Sequence, residues 1–457
     1  MIKTRHGLDL TEGRISTLLL RFATPFMLAN LITGLYGIVG MLVVARYTDP
    51  ATIAGVATGT QIMNLTFSFM FGLGTGGTVL IGRCIGERNN ENGTKATGSY
   101  LIISAILIIF LTSFIGIFRE PLLDLLKTPP AARASASRYV MICTLGVPFN
   151  IGYGMLSAIF RGMGNSNVPS IVVGISCAVN IALSFILVIV AGLAEAGVAI
   201  ATVTAQFISF VLIAVLLYRK KLPFPFGASD IRPEKKPMSF IITVGIPIVL
   251  QELLITISFM ILTNRVNSIS VEASASVGIV ARTFVLAFVL INGLGSAVSA
   301  MTAQNLGAGK RDRAMASLRW GILYALIIGV SVFAFCVTSP ETLTSVFSAN
   351  DEVVMKGAAS YLRAYSFEAV MVAFIFCMNA YLGGCGKSKV AMIHSILSVV
   401  ILRVPLGVLV TGLQGIGLNK MLTYLGISGP IASVLSLVVC IVYITRQERQ
   451  YATIAAL

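Results

Sequence analysis

GLGTGGTVLIGRCIG at Gly72–Gly86 and GLGSAVSAMTAQNLG at Gly293–Gly307 open on the same Gly-Leu-Gly and close on a glycine. Each then runs into a charged loop, GERNNENGTKA from Gly86 and GAGKRDRA from Gly307. Two further landmarks keep nearly the step that takes Gly72 to Gly293. Pro25 answers Pro247, and GMGNS at Gly162–Ser166 answers GCGKS at Gly384–Ser388, both one position further on than the first pair. One such match is within reach of chance in a glycine-rich chain; three separated matches at nearly one offset read as a duplicated unit.

The composition says which solvent that unit folds in. Hydrophobic residues make up 56% of the 457 positions and charged residues 11%, too little polar surface to cover a soluble fold of this size. About twelve stretches reach the roughly 20 apolar residues that cross a bilayer, among them 15–43, 238–264, 360–382 and 389–411. The first is preceded by Lys3, Arg5, Asp9, Glu12 and Arg14 and lacks a small-residue cleavage site, so it reads as a retained span. The expected architecture is all-α, with six spans per repeat: an N-terminal lobe over 1–218, a proline- and lysine-rich cytoplasmic linker over 219–237, and a C-terminal lobe over 238–457. Six is an even number, so both repeats enter the membrane in the same direction, the parallel-repeat layout of some secondary transporters.

The net charge of +15 is explained by topology. With the amino terminus inside, about two thirds of the 33 Lys and Arg collect on the cytoplasmic side, as the positive-inside rule requires. Both termini are therefore expected in the cytoplasm of a multi-pass inner-membrane protein, among lipids and as a monomer. No basic stripe with interleaved aromatics points to nucleic acid. The seven cysteines fall singly, with no CxxC and no histidine at metal spacing, so neither a disulfide framework nor a metal site is indicated.

Ionisable side chains inside a span cost several kcal/mol unless paired or hydrated, and here they are few. Glu252 stands one turn past Pro247, whose ring should kink the seventh span. Arg282, Glu368 and Arg403 lie in the eighth, tenth and eleventh spans, and Tyr365 precedes Glu368 by three residues on the same helix face. Glu252, Glu368 and Tyr365 are candidates for contact with a coupling cation or a cationic substrate, with Arg282 and Arg403 as charge partners. Asn30, Asn64, Asn150, Asn180, Gln206 and Asn379 suit interhelical hydrogen bonds, and His394 is expected near a cytoplasmic helix end, in solvent. No GxSxG, HExxH or Walker A pattern occurs. Catalytic residues and cofactors are therefore not expected, and a proton or sodium gradient is the expected energy source.

Pro25 and Pro247, TAQNLGAGKRDRA at Thr302–Ala314 and RGMGNS at Arg161–Ser166 together resemble the multidrug and toxic compound extrusion (MATE) family, across essentially the whole chain. The resemblance implies two pseudo-symmetric six-helix bundles forming a V around a central cavity, and proton- or sodium-coupled export of cationic amphipathic drugs or metabolites. It also implies site residues. The family's acid after Tyr36 is replaced by Gly40, and its acid after Asn180 by Ser184; Asn180 and Thr202 are kept. Glu252, Glu368 and Tyr365 resemble the acidic pair and tyrosine of the sodium-coupled branch, which implies possible sodium sites at Glu252 and Glu368. The alternatives are a lipid-linked or polysaccharide flippase of the same superfamily and, more remotely, a membrane-embedded enzyme or a sensor.

Overall fold

The structure, a computed structural model, describes residues 7–345, 351–413 and 415–456, without the side chains at 35, 36, 38, 39, 41–45, 286, 452 and 454–456. The first repeat builds α1 (Ile15–Tyr47), α2 (Pro50–Gly86), α3 (Asn90–Ile117), the short α4 (Arg119–Leu125), α5 (Pro130–Gly162), α6 (Asn167–Phe185) and α7 (Ala194–Lys220). The second builds α8 (Lys235–Asn267), α9 (Val271–Gly307), α10 (Arg311–Thr338), the short α11 (Pro340–Ser345), α12 (Glu352–Tyr365), α13 (Phe367–Gly384), α14 (Ser388–Leu397), α15 (Val404–Gly412) and α16 (Leu418–Ala456). Among the described residues there is no β-strand, and twelve helices are long and apolar enough to cross a membrane.

The duplication is visible element by element. The step from Pro25 to Pro247 also takes Pro130 and Gly162, the ends of α5, to Glu352 and Gly384, the outer ends of the pair α12–α13. The step from Gly72 to Gly293 takes both ends of α3 to both ends of α10. Local chemistry sets the ends. Asp49 caps α2 by accepting from the Thr52 amide at 3.1 Å, with Pro50 in the first turn, and Asp351 caps α12 by accepting from the Val353 and Val354 amides at 2.9 and 3.1 Å. The GMGNS and GCGKS landmarks are helix stops. Gly164 and Gly386 take φ of 76° and 73°, which glycine adopts without a Cβ clash. The next amides, Asn165 and Lys387, reach back to the Phe160 and Leu382 carbonyls at 2.9 and 2.7 Å, closing α5 and α13 in the same way.

The repeats differ where helices are interrupted. α5 runs unbroken through Pro148, whereas its counterpart breaks at Ser366 into α12 and α13. Two π-helical segments fall in the fifth and eleventh spans, Ile186–Val190 after α6 and Ser398–Arg403 between α14 and α15. Such widened turns recur at functional sites.

The chain divides into two compact units, Met1–Val249 with Ala300–Ala314, and Leu250–Ser299 with Met315–Leu457. The first packs around fully buried Ile81, Tyr100, Ile151, Ile159 and Phe160. In it the segment before α1 is held to two loops. The Leu8 amide donates to the Gly164 carbonyl at 3.1 Å, Asn305 Nδ2 donates to the Leu10 carbonyl at 3.0 Å, and Lys310 Nζ donates to the Thr11 carbonyl at 3.1 Å. The ends of α2 and α9 cross reciprocally: a Cβ on Gly86 would meet the Gln304 carbonyl, and one on Gly307 would meet the Arg83 carbonyl. The glycines that close the two repeated stretches are therefore the residues that let these backbones touch. The second unit packs around Val280, Phe284, Ala358, Leu362 and Ala369.

Candidate functional site

The second unit contains a buried carboxylate at a helix break. Nothing in Tyr365-Ser366-Phe367 is a helix breaker by type, yet α12 ends at Tyr365 and α13 begins at Phe367, which puts Glu368 in the first turn of α13. Free backbone N–H groups at a helix start favour negative charge there. Glu368 is 3% exposed. Its Oε1 accepts from Ser433 Oγ of α16 at 2.9 Å, while Oε2 is buried and has no hydrogen-bond partner. A carboxylate has about four acceptor positions, so this group is under-satisfied as it stands and suited to take a proton or a cation.

α16 leaves room beside that oxygen. A Cβ on Gly429 would lie 3.7 Å from Glu368 Oε2 and 3.0 Å from the Tyr365 ring. The next residue, Pro430, lies inside the helix and lacks the N–H that would bond the Gly426 carbonyl. Tyr365 is 5% exposed; its ring meets Phe284 edge-on at 4.8 Å and stacks on Tyr361 at 5.5 Å. These aromatics form a wall against the Glu368 end of α13.

Arg403 ends the π-helical segment of the eleventh span. Its guanidinium carbon sits 4.2 Å from the Phe259 ring centroid, a cation–π contact, and its Nε is buried without a partner. Tyr361, Tyr365 and Glu368 are in its electrostatic neighbourhood, but among the described residues no ion pair joins Arg403 to Glu368. Arg403 therefore acts on Glu368 through space, with its guanidinium on an aromatic face and not in a direct ion pair. Arg282 is exposed and likewise makes no ion pair among the described residues. Glu252 is half-buried in α8 beside buried Gln251, and among the described residues no hydrogen bond reaches its carboxylate. Pro247 falls inside α8, and the division between the two units passes between Val249 and Leu250. The site thus gathers Glu368, Tyr365 and Arg403, to which Ser433 and Gly429 add themselves; Glu252 and Arg282 stand apart from these contacts.

The first unit presents neutral groups at its corresponding spans. Asn180 Nδ2 donates to Thr202 Oγ1 at 3.3 Å across α6 and α7, and Ser184 Oγ is buried without a partner. Asn150 Nδ2 lies 3.5 Å from Thr66 Oγ1. Pro25 lies inside α1; the Tyr36 side chain is outside the described residues. Among the described residues no three His, Cys, Asp or Glu converge as metal ligands.

One expectation is corrected. His394, read from the sequence as solvated, is 0% exposed in α14, with Nε2 2.7 Å from Asn379 Oδ1. Lys387 and Lys389 place its helix start near the membrane surface, but hydropathy does not show that the histidine is on the face packed against α13 and α16.

Twelve candidate spans in two sequence repeats, with a buried, under-satisfied carboxylate inside one of them, define an all-α multi-pass membrane protein built like a transporter. The sequence matches the MatE family twice, over residues 25–186 and again over 247–409, and the chain belongs to that family. It is a family of transporters, not of enzymes. The chain is 27% identical over 340 residues to the "Probable multidrug resistance protein YoeA" of Bacillus subtilis, covering 73% of each chain. It is 25% identical over 407 residues to the multidrug export protein MepA of Staphylococcus saprophyticus, covering 87% of this chain and 88% of MepA. The solved outward-facing conformation of a multidrug resistance MATE family transporter of the MOP superfamily superposes with a TM-score of 0.90 at 21% identity, over 97% of this chain and 99% of that one. That likeness establishes the fold.

Proposed function

We propose that the protein is a secondary active exporter of amphipathic, cationic small molecules, driven by a proton or sodium gradient through alternating access. The observation that carries this reading is Glu368, with one oxygen on Ser433, the other buried and unpartnered, and no ion pair to an arginine among the described residues. A carboxylate in that position gains by taking up a proton, a sodium ion or the positive end of a substrate, and the three compete for one negative charge. Competition of this kind is what an antiporter needs. Tyr361, Tyr365 and Phe284 supply the aromatic surface that suits flat, apolar cations. Multidrug export by relatives such as MepA is in line with the substrate class and with outward transport.

On this reading the chain is a monomer of the inner cell membrane, surrounded by lipid, with both termini in the cytoplasm and the lobes 1–218 and 238–457 joined by the linker 219–237. Glu252 is a second contact for the coupling cation or substrate, and no resident cofactor takes part. The test is counterflow of a fluorescent organic cation in proteoliposomes, with pH and sodium gradients imposed separately. Glu368→Gln should abolish gradient-driven efflux and Glu252→Gln should weaken it. Full efflux in both variants overturns the assignment, and binding of a lipid-linked sugar in preference to the cation favours a flippase instead.

A further inference from the structure

The second unit holds a buried imidazole for which the Glu368 site has no use. His394 is 0% exposed; Nε2 and Asn379 Oδ1 are 2.7 Å apart, and Nδ1 is buried with no partner. An acceptor of the amide type fixes Nε2 as the N–H donor, which leaves the lone pair on Nδ1. A buried polar atom without a partner destabilises the fold, so a purely structural position has every reason to be apolar.

The molecule contains that comparison within itself. At the step that takes Pro25 to Pro247, His394 corresponds to Val172 and Asn379 to Ser157. Val172 is 1% exposed and belongs to the apolar core of the first unit. Packing of the two spans is therefore achieved in the first repeat with no imidazole, and the histidine is an addition specific to the second.

Its surroundings connect it to the carboxylate. α14 packs against α13, α16 and the π-helical segment. On those elements the buried or half-buried titratable groups are Glu368, Cys377, Tyr381, Cys440, Tyr443, Glu448 and Arg403. Glu368 is bonded to Ser433, and Glu448 accepts from the Tyr381 hydroxyl at 3.3 Å, so neither carboxylate occupies Nδ1. Ser433 and Ser436 lie one turn apart on α16; the first holds Glu368, and the second donates to the His394 carbonyl at 3.5 Å.

We infer that His394 is a proton-binding site in the transport cycle, distinct from Glu368 and joined to it through α16. The Nδ1 lone pair takes one proton from water and gives an imidazolium that keeps its Nε2–H on Asn379; release returns the same proton and the neutral ring. An imidazolium and a cation held at Glu368 are like charges in one apolar bundle and disfavour each other. Loading at one therefore favours release at the other. The inference deepens the exporter reading and rests on it, but its first test does not.

The chain contains two histidines, His6 and His394, so histidine labelled with 15N in the ring yields two sets of signals, and His394→Val assigns them. The expected result is that Nδ1 of His394 takes up a proton as pH falls through a range of roughly 8 to 4, which extends into acid because burial disfavours the charged ring. In proteoliposomes the several-fold pH dependence of efflux should flatten in His394→Val and equally in His394→Gln, with thermal stability largely retained, since valine packs at the corresponding position of the first repeat, Val172. A ring that stays neutral across the range overturns the inference whether or not the protein transports anything. So does a pH profile unchanged in His394→Val, or one restored by His394→Gln, which would mark the ring as a structural hydrogen-bond partner.

Discussion

Gln304 donates from Nε2 to the Gly162 carbonyl at 2.7 Å while its Oε1 accepts from the Leu10 amide at 3.3 Å, so one 1%-exposed side chain completes two buried backbone groups. Gly162 ends α5 of the first repeat, and Gln304 lies at the end of α9 of the second. Leucine at 304 would keep most of the volume and strand both backbone groups. Gln304→Leu is expected to lower stability by about 1–3 kcal/mol, the cost of leaving buried polar groups unmade. Thermal unfolding of the purified variant in detergent checks it, and an unfolding temperature equal to wild type would show that the segment before α1 is not held through this residue.

The loop at the end of α2 is strained where its repeat is not. Arg88 has φ of 53°, and its counterpart at the step from Gly72 to Gly293 is Gly309, whose φ is 71°. The turns match: the Asn89 amide donates to the Cys84 carbonyl at 3.1 Å, and the Lys310 amide to the Asn305 carbonyl at 2.8 Å. A side chain in the left-handed region costs roughly 1–2 kcal/mol, which glycine avoids. Part of that gain is offset by the freedom glycine adds to the unfolded chain. The ion pair lost, Arg88 to Glu12 at 3.9 Å, is exposed and contributes little. Arg88→Gly should therefore leave stability unchanged or raise it by up to about 1 kcal/mol, while Gly309→Arg should lower it. Both are read from the same thermal assay.

How far the sequence carried these conclusions depends on the kind of signal. Hydropathy and the offset landmarks were sufficient for the spans and the duplication, because lipid demands long apolar helices and glycines mark close approaches and stops. Glu368 was legible because a charge in an apolar run stands out. The break at Ser366 was not, since serine is no helix breaker; the tenth span was expected over 360–382, where the structure has α12, the break and α13. One clue was present: the step from Pro25 to Pro247, applied to Pro130 at the start of α5, lands on Glu352, the start of α12. Nothing in the residues Ser398–Arg403 announces a π-helical turn, or that the Arg403 guanidinium lies on Phe259. Ser433 and Gly429 escaped notice because each is a small residue in a long apolar helix, and only the fold brings them to Glu368.

Outside the membrane spans, α4 carries a charge network whose pH dependence has a definite sign. The carboxyl of Glu120 is held below its ordinary value of 4.5, first by the Ser137 hydroxyl at 2.6 Å and then by Arg133 and Arg119. Asp124 is lowered below 3.8 by Arg133. A depressed folded value means that the stabilisation is fully present above the ordinary value and is lost as pH falls through the depressed one. The groups are well exposed, so the effect is small. The unfolding temperature of wild type should exceed that of Glu120→Gln above pH 5, and the difference should shrink as pH drops below 4.5. A difference that grows in acid would contradict the arrangement.

Ser433 and Gly429 allow the carboxylate to be probed without touching it. Ser433→Ala removes the hydroxyl at 2.9 Å from Glu368 Oε1 and leaves both carboxylate oxygens without a side-chain donor, which disfavours the ionised form. Gly429→Ala does something different: it adds a methyl 3.7 Å from Oε2, in ordinary contact, and 3.0 Å from the Tyr365 ring, which must give by a few tenths of an ångström. The first change alters the charge balance at Glu368 and the second its access. Transport by Ser433→Ala should therefore still reach the wild-type rate at a more alkaline exterior where protons drive it, or need a higher sodium concentration where sodium does, with the maximum rate nearly kept. Gly429→Ala should lower the maximum rate and leave the dependence on the driving cation in place. Initial rates in proteoliposomes, measured against each gradient in turn, separate the two, and identical behaviour of both variants would mean that Oε1 and Oε2 are not used differently.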